Sequence, residues 1–303
     1  MKAFIKKMIL RIFHDLKINE FYARRLSHDG VYILAYHEVE RSNFATHINY
    51  LKSNGFKIVS MDILADYWEK KKSLPPKSIA LTFDDGWQSN YSQVFPVASA
   101  HQIPVLIYLV SQIYVSGIKP LFFILAELIS AGIKNVPDEE SLARMDDHTR
   151  NNIISQLKTD YNNRVNRSHS LSVEEIKEML NSGFVSFGSH TATHPDLNNI
   201  TETEVKKEIF ESKTDLELFL NQSIDHFAYP KGCFLPQHFD IIKNAGYKTA
   251  VTTVPGWNNP EKGTSPFELR RIFMSAKDDV SVLAAKLSGL WYKMHHQKMN
   301  YSS

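Results

Sequence analysis

Cysteine is nearly absent from this sequence of 303 residues, in which Cys233 stands alone. A single thiol excludes an internal disulfide framework and a zinc site built from cysteines. The excess of positive over negative residues is also small, because the formal net charge is only +2. No stripe of basic residues with interleaved aromatic residues occurs. We therefore expect no nucleic-acid partner. No apolar run is long enough to span a bilayer.

Residues 1–18 also lack the uninterrupted apolar core and the small-residue cleavage site of an export signal. The sequence therefore predicts a cytoplasmic protein. Apolar residues in this segment nevertheless recur at helical spacing, with basic residues on the opposite face. Two interpretations stay open: a helix packed on the body of the protein, and a helix lying on the inner face of the cell membrane. The apolar and basic positions are Phe4, Ile5, Met8, Ile9, Ile12, Phe13 and Leu16, with Lys2, Lys6, Lys7 and Arg11.

The chain does contain an alternation of short apolar runs with longer segments of helical spacing. Hydrophobic residues make up 43% and charged residues 22% of the composition, which is ordinary for a globular protein with a sizeable core. Strands that alternate with helices predict parallel βαβ units and an α/β fold of the (β/α) barrel type. The predicted strands are Val31–His37, Phe56–Ser60, the run from Ile79, Val105–Val110, the run from Phe184, His226–Tyr229, Tyr247–Thr253 and Glu268–Phe273.

Residues 111–170 interrupt this alternation and are interpreted as an insertion on the rim of the barrel. Within it, Leu121–Ala131 is apolar enough for a buried helix, whereas Asp138–Arg167 is polar and predicted to be helical. The expected divisions of the chain are an N-terminal amphipathic helix over 1–28, the barrel over 29–275, and a C-terminal helix and tail over 276–303. The other predicted helices are Phe44–Asn54, Met61–Lys72, Ser89–Ala100, Val173–Asn181, Glu202–Leu220, Pro236–Asn244 and Val280–Tyr292.

The stretch Ile79–Gly86 is an apolar run that ends in two adjacent carboxylates, Asp84 and Asp85. Burying them side by side is costly, because like charges this close cannot both stay ionised without a compensating cation. A second polar cluster, with His190 and His194, follows another apolar run. Two carboxylates and two imidazoles at strand ends predict a mononuclear site for a divalent metal ion. A solvated Asp-Asp-Gly turn is the alternative interpretation of the first cluster.

Polar side chains end several of the predicted strands. In (β/α) barrels the C-terminal ends of the strands build the active site. We therefore expect these side chains to converge at one end of the barrel. They are His37, Asp84, Asp85, His190 and Tyr229.

The segments Thr82-Phe83-Asp84-Asp85-Gly86 and His190-Thr191-x-x-His194 resemble the two metal motifs of the polysaccharide deacetylase family, also called carbohydrate esterase family four or the NodB-homology domain. The segment Phe227–Gly232 extends the likeness, which covers roughly Val31 to Phe273. The resemblance implies a distorted, seven-stranded (β/α) barrel and metal-dependent hydrolysis of an N-acetyl group on an amino sugar. It also implies that the cofactor is Zn²⁺, or another divalent ion such as Co²⁺, Ni²⁺ or Fe²⁺.

The same resemblance assigns roles to individual residues. Asp85, His190 and His194 are implied to be the metal ligands, and Asp84 is implied to be the general base. Three nitrogen and oxygen ligands leave coordination positions open, which is the pattern of a catalytic rather than a structural site.

Two positions depart from the family pattern. Ala228 stands where the family has an arginine that orients the base, and no leucine-histidine motif that would supply the general acid follows Phe273. The segment ending in His37 resembles that last strand moved to the front of the chain, as in circularly permuted poly-N-acetylglucosamine deacetylases, and His37 is then the acid. A hydrogen-bonded core histidine is the alternative interpretation.

Two neighbouring arginines could replace the missing one. Alternation along a strand sends Arg270 and Arg271 to opposite faces, and resemblance to related deacetylases favours Arg271 as the inward residue. There its charge would hold Asp84 ionised. A surface salt bridge is the alternative interpretation of Arg271.

The function predicted from these residues is N-deacetylation of a polysaccharide or of a lipid-linked glycan precursor in bacterial envelope polysaccharide synthesis. A deformylase acting on a lipid-linked sugar and a non-catalytic carbohydrate-binding barrel remain alternatives. Trp87 and Trp257 could stack on a sugar ring, although large aromatic residues more often belong to the core. Four further histidines are interpreted as structural or exposed: His47, His101, His226 and His238.

Overall fold

The computed structural model describes residues 10–12, 30–70, 73–143, 145–164 and 168–294. Seven parallel strands form one continuous sheet in the order β7-β6-β5-β4-β3-β1-β8, and the two-residue strand β2 pairs with the start of β3. The strands are β1 Tyr32–Tyr36, β2 Lys57–Ile58, β3 Ser78–Phe83, β4 Val105–Leu109, β5 Val185–Ser189, β6 His226–Ala228, β7 Thr249–Val251 and β8 Ile272–Phe273.

The segment around β8 joins the two edges of this sheet. Leu269 forms a parallel bridge with Val251 of β7, and three residues later Ile272 pairs with Leu34 of β1. We call residues 269–273 the closing segment. It turns the curled sheet into the distorted (β/α) barrel that the sequence predicts.

Helices connect the strands and cover the outside of the barrel. The helices α8 and α9 have the predicted bounds, and each begins at its predicted residue with a capping box, made by Ser172 with Glu175 and by Thr201 with Glu204. The helices are α1 Arg41–Ser53, α2 Met61–Trp68, α3 Phe95–His101, α4 Gln112–Val115, α5 Leu121–Ser130, α6 Glu139–Ala143, α7 Asp147–Arg164, α8 Val173–Asn181, α9 Glu202–Leu220, α10 His238–Asn244, α11 Val280–Leu287 and α12 Leu290–Met294.

Alternation along the strands separates two buried layers. Residues of one parity, such as Leu34 and Leu81, pack beneath the helices, whereas Ile33, Ala80 and Leu269 belong to the cluster enclosed by the strands. Asp84 and Arg271 have the parity of Ala80 and Leu269. The pleat therefore directs both charged side chains toward the barrel interior.

Some predicted elements are shorter or divided. A π-helical turn, Asn90–Val94, replaces the first half of the predicted helix Ser89–Ala100, and the α-helix that follows has Pro96 in its first turn, where a missing N–H is tolerated. The predicted helix Asp138–Arg167 consists of α6 and α7, because the Asp146 carboxylate accepts from the Thr149 amide and starts a new helix.

Two predictions near the C-terminus were also too long. Only Ile272–Phe273 of the predicted strand Glu268–Phe273 is a strand, because the Arg270 amide donates to the side chain of Asn258 instead of to a neighbouring strand. The predicted helix Val280–Tyr292 is divided into α11 and α12 at Gly289, which has a left-handed φ of 73°.

Of the N-terminal segment, the structure describes residues 10–12. Leu10 is fully buried against Val282 and Ala285 of α11, and the Arg11 guanidinium lies 3.2 Å from the Asp279 carboxylate. Ile12 is 46% exposed. The other positions of the predicted amphipathic helix lie outside the described residues. No helix in the described part of the chain is long and apolar enough to cross a membrane.

Candidate active site

The end of β3 turns sharply at Asp84 and Asp85. The Asp84 amide continues the ladder by donating to the Tyr36 carbonyl, but Asp85 and Gly86 then adopt left-handed φ values of 73° and 77°. A side chain at Gly86 would meet Leu109 at 2.7 Å, so glycine is needed for space as well as for conformation. The turn leaves both carboxylates buried, at 2% exposure for Asp84 and 5% for Asp85.

The end of β5 positions the two histidines. His190 continues the ladder by donating its amide to the Leu109 carbonyl, and the chain then turns through Thr191 and His194, both with left-handed φ. The Nδ1 atom of His190 lies 2.8 Å from the Ala228 carbonyl. Because a carbonyl only accepts, Nδ1 carries the proton, and Nε2 presents a lone pair to the site.

The side chains of Asp85, His190 and His194 meet at one point. The Nε2 atoms of both histidines lie 3.6 Å from the same Asp85 oxygen, and the donor atoms of all three residues lie within 4.8 Å of one another. Burial is the main cause that holds the pKa of His194 well below its usual value. Burial raises the pKa of Asp85. The cluster therefore brings together one carboxyl group and two imidazoles, the donor set that suits a divalent ion such as Zn²⁺.

Asp84 is paired with Arg271 beside this cluster. The guanidinium donates to both carboxylate oxygens at 2.7 Å, and its Nε atom donates to the Thr252 carbonyl at 2.9 Å. Arg271 is fully buried, whereas Arg270 is partly exposed. Burial alone raises the pKa of Asp84, but the charge and hydrogen bonds of Arg271 outweigh it and lower the pKa to about 2. Asp84 is therefore a carboxylate at neutral pH.

His37 follows β1 on the rim of the same site. Its Nε2 atom lies 3.9 Å from the second Asp85 oxygen, and its side chain is 52% exposed. The Asn90 side chain donates to the His37 carbonyl at 3.0 Å and fixes the backbone there. Of the polar residues expected to converge, His37 is the one most open to solvent.

Tyr229 does not join the site, although its place at a strand end predicted that it would. Its hydroxyl donates to the Phe267 carbonyl at 3.1 Å, and its ring packs between Phe227 and Phe234. Tyr229 follows Ala228 of β6, and alternation points its side chain outward, away from the barrel interior.

Two aromatic residues border the site in ways that the sequence motifs did not indicate. The Trp87 indole donates to the second Asp85 oxygen at 2.9 Å. The Phe122 ring, from the insertion, lies 5.0 Å from the His194 ring and nearly perpendicular to it. Trp87 lies two residues after Asp85, so a local turn could have suggested its bond, whereas the place of Phe122 depends on the tertiary fold. Trp257 is a core residue at 8% exposure.

The four histidines interpreted as structural or exposed each have a partner away from the metal donors: His47, His101, His226 and His238. His47 is fully buried between the Tyr36 hydroxyl and the Asp278 carbonyl. His226 bonds to the side chains of Thr249 and Asp62. None of these groups contacts the metal-donor cluster.

Comparison with known proteins matches the part of the chain that contains both polar clusters. The family model described as polysaccharide deacetylase matches residues 71–250, which is more than half of the chain. YxkH of Bacillus subtilis is 23% identical over 266 residues, with 85% of this chain and 76% of YxkH covered. The poly-beta-1,6-N-acetyl-D-glucosamine N-deacetylase of Staphylococcus aureus is 22% identical, with 76% of this chain and 64% of that protein covered.

Solved structures show the same fold. IcaB from Ammonifex degensii superposes with a TM-score of 0.62 at 23% identity, covering 86% of this chain and 97% of that one. The Streptococcus pyogenes deacetylase PplD in complex with acetate gives a TM-score of 0.61 at 20% identity, covering 85% and 98%. With the family match over the segment that carries both polar clusters, this chain belongs to the polysaccharide deacetylase family.

Proposed function

We propose that this chain is a metal-dependent hydrolase that removes the N-acetyl group from an amino sugar. The substrate would be a polysaccharide or a lipid-linked glycan precursor in bacterial envelope polysaccharide synthesis. One observation carries the proposal: an ionised, buried carboxylate, Asp84, lies beside a three-residue cluster of metal donors. A site that only binds sugar has no use for a base in that place.

Asp85, His190 and His194 would hold the ion, which would be Zn²⁺ or another divalent metal such as Co²⁺, Ni²⁺ or Fe²⁺. A divalent ion in such a site supplies Lewis-acid activation of the water nucleophile and of the amide carbonyl. Burial lowers the pKa of His194, and the bond from the His190 Nδ1–H to the Ala228 carbonyl leaves Nε2 of His190 to face the ion. The Trp87 indole restrains the second Asp85 oxygen.

Asp84 would accept the proton of the attacking water. Arg271 holds the carboxylate ionised and fixes its orientation with two parallel bonds, while each oxygen keeps a further lone pair for the proton. Arg271 thus takes the orienting place left open by Ala228. This assignment gives Asp84 and Arg271 the roles of base and positioning residue.

His37 would donate a proton to the departing amine as the C–N bond breaks. Its half-exposed ring is open to solvent, and its position across Asp85 from the other two histidines puts it on the rim, where a leaving group can exit. The acetyl group then leaves as acetate and the sugar keeps a free amine. Each of the two proton-transfer residues would contribute about 10²–10⁴-fold in rate.

The test combines metal analysis with an assay for amine release on N-acetylated glycans. We expect one divalent ion per chain, lost from the double variant His190→Ala/His194→Ala. Asp84→Asn should keep the ion and lose turnover, because the amide cannot accept the proton. Release of formate instead of acetate, from a formylated sugar, would replace the proposed activity with that of a deformylase.

The same experiment separates catalysis from binding alone. A carbohydrate-binding barrel without activity would bind the glycans and release no amine with any metal supplied. Full metal occupancy in the double histidine variant would overturn the assigned ligands. Unchanged activity in His37→Ala across the pH range would overturn the assigned acid.

The lipid-linked form of the substrate is supported by the pattern of residues 1–18. We propose that this segment contacts anionic lipid through its basic residues, each worth about 1 kcal/mol near a membrane at low salt. Leu10 and Arg11 are engaged with α11 and Asp279, whereas Ile12 is exposed. Flotation with anionic liposomes should therefore fall with added salt and with Ile12→Asp. Equal flotation of this variant and the wild type, or no flotation of either, would contradict the contact.

A further inference from the structure

The insertion is joined directly to the metal loop. Trp87 forms an antiparallel bridge with Ser170, the Gln88 amide donates to the His169 carbonyl at 2.6 Å, and the Leu171 amide donates to the Gly86 carbonyl at 2.9 Å. The last residues of the insertion therefore run beside the residues that follow Asp85. Any displacement of the insertion would therefore move backbone that lies one or two residues from the candidate metal ligand Asp85.

A buried ion pair holds the parts of the insertion together. The Lys119 ammonium lies 2.8 Å from the Glu127 carboxylate on α5, and it also donates to the Tyr161 hydroxyl on α7 and to Ser168. Glu127 is 1% exposed and accepts from the His169 amide as well. A buried pair whose hydrogen bonds are all made fixes geometry more than it adds stability. Here it fixes α5 against the residues that touch the metal loop.

The side of α5 nearest the site carries an aromatic group. We call Trp87, Phe122 and Phe123 the aromatic wall. Phe123 is fully buried and lies 4.3 Å from the Trp87 ring, while Phe122 lies 4.8 Å from Phe123 and 5.0 Å from the His194 ring. Phe122 and Trp87 are only partly buried. In the aromatic wall, the buried Phe123 therefore supports the rings of Trp87 and Phe122, which are partly exposed beside the metal donors.

We propose that the aromatic wall is a binding site for the ring of the N-acylated hexosamine, and that the insertion places it there. One face of a pyranose ring presents several C–H groups, and the electron-rich face of an aromatic ring attracts such weak donors. Phe122 adjoins His194, so a sugar ring on it would lie next to the metal donors, where its acylamino group must react. This inference rests on the proposed function, which it deepens by naming the residues that hold the sugar.

Phe122 is then a specificity-determining residue, and Lys119 and Glu127 are positioning residues. The test compares Phe122→Leu, which keeps an apolar side chain but removes the ring, with Phe122→Tyr, which keeps the ring. Ile129→Ala is the matched control, because Ile129 lies on the same helix but is 59% exposed. Each variant is assayed for amine release from a β-1,6-linked N-acetylglucosamine oligomer and for metal content.

We expect Phe122→Leu to raise KM about three- to tenfold, with kcat within about twofold and the metal content unchanged. Phe122→Tyr should restore most of the affinity that Phe122→Leu loses, and Ile129→Ala should behave like the wild type. Calorimetric titration of the same oligomer into metal-loaded Asp84→Asn protein gives a readout without turnover. There, adding Phe122→Leu should raise Kd by the same factor.

The outcomes separate this inference from the proposed function. Amine release with KM unchanged in Phe122→Leu would overturn the wall and leave the deacetylase standing. If the wild type binds the oligomer through Phe122 but releases no amine, the aromatic wall stands and the deacetylase activity is overturned. Loss of metal or of folding in Phe122→Leu, with normal behaviour of Phe122→Tyr, would assign the ring to packing, and an oligomer neither bound nor hydrolysed by the wild type would overturn both.

Discussion

At the scale of single residues, Asp84 and Arg271 depend on each other because both charges are buried. Replacing Arg271 with Met would leave a carboxylate without its cation, at a cost of about 3–5 kcal/mol in the free energy of unfolding. Burial would then raise the pKa of Asp84, and activity should disappear at a higher pH as the solution is acidified. Urea unfolding and a pH–activity profile measure both effects.

Arg270→Met is the control for this prediction, since Arg270 is the adjacent residue on the other face of the closing segment and is partly exposed. It should change the unfolding free energy by less than Arg271→Met and leave the acid limb of the profile in place. Equal effects of the two substitutions would mean that charge near Asp84 does not govern its protonation.

His47 gives a second residue-scale prediction, remote from the metal donors. Its Nε2–H donates to the Asp278 carbonyl and its Nδ1 accepts from the Tyr36 hydroxyl. Burial lowers its pKa, although the nearby Asp278 opposes the shift. The unfolded chain therefore binds a proton before the folded one does. Stability from this group is complete above about pH 6.5 and is lost as the pH falls, by at most about 1.4 kcal/mol per pH unit.

His47→Gln should remove this part of the pH dependence, because glutamine can make similar bonds but does not titrate. Unfolding free energies at about pH 5 and about pH 7.5 measure it. The wild type should lose more stability between these two values than the variant does. Parallel losses would show that His47 binds its proton equally in both states.

Much of the candidate site could be predicted from the sequence at this scale, because the patterns that indicate it are local. The two acidic residues and the two histidines each follow an apolar run, and the alternation of a strand separates Arg270 from Arg271. Phe122 was missed, since a ring against His194 follows from packing. Trp87 was named only as a residue that could stack on a sugar ring, and its bond to Asp85 was not predicted. The prediction that Tyr229 joins the site was wrong, because a position at a strand end does not by itself say to which side of the strand the side chain points.

At the scale of elements, the insertion depends on the Lys119–Glu127 pair. Glu127→Gln would leave the Lys119 ammonium, whose side chain is 15% exposed, without its counter-charge. We expect a loss of at most about 3–5 kcal/mol, the range for fully buried pairs, confined to the insertion if it opens on its own. Hydrogen exchange should rise in α5 and α7. Glu211→Gln is the control, because its pair with Lys207 is exposed and should be worth less than about 1 kcal/mol.

Helices and strands were predictable where the signals lay within a few residues. The capping boxes fix the first residues of α8 and α9. The predictions failed where a nearby side chain or a distant backbone competed with the expected element. Asp146 starts a new helix within the insertion, and Asn258 takes the Arg270 amide away from the sheet. Neither of these two contacts can be predicted from hydrophobic periodicity.

At the scale of the whole molecule, the proposed metal site links separate parts of the chain. Its donors follow β3 and β5, so an ion bound there should stabilise the fold and not the unfolded chain. Ion at 100 times its Kd would add about 2.7 kcal/mol. Dialysis against a chelator should therefore lower Tm, and Zn²⁺ should restore it. The double variant His190→Ala/His194→Ala should show the same Tm with and without Zn²⁺; a response equal to that of the wild type would place the ion elsewhere.

The closing segment has a consequence for the time course of folding. It pairs Leu34 with Ile272, two residues near opposite ends of the barrel sequence, and contacts so distant along the chain form slowly because a long loop must be closed. The metal donors come from strands closer in sequence, whereas Asp84 meets Arg271 only when the segment docks. During refolding, uptake of Zn²⁺ should therefore precede the return of amine release, and the interval between them measures the closure of the barrel.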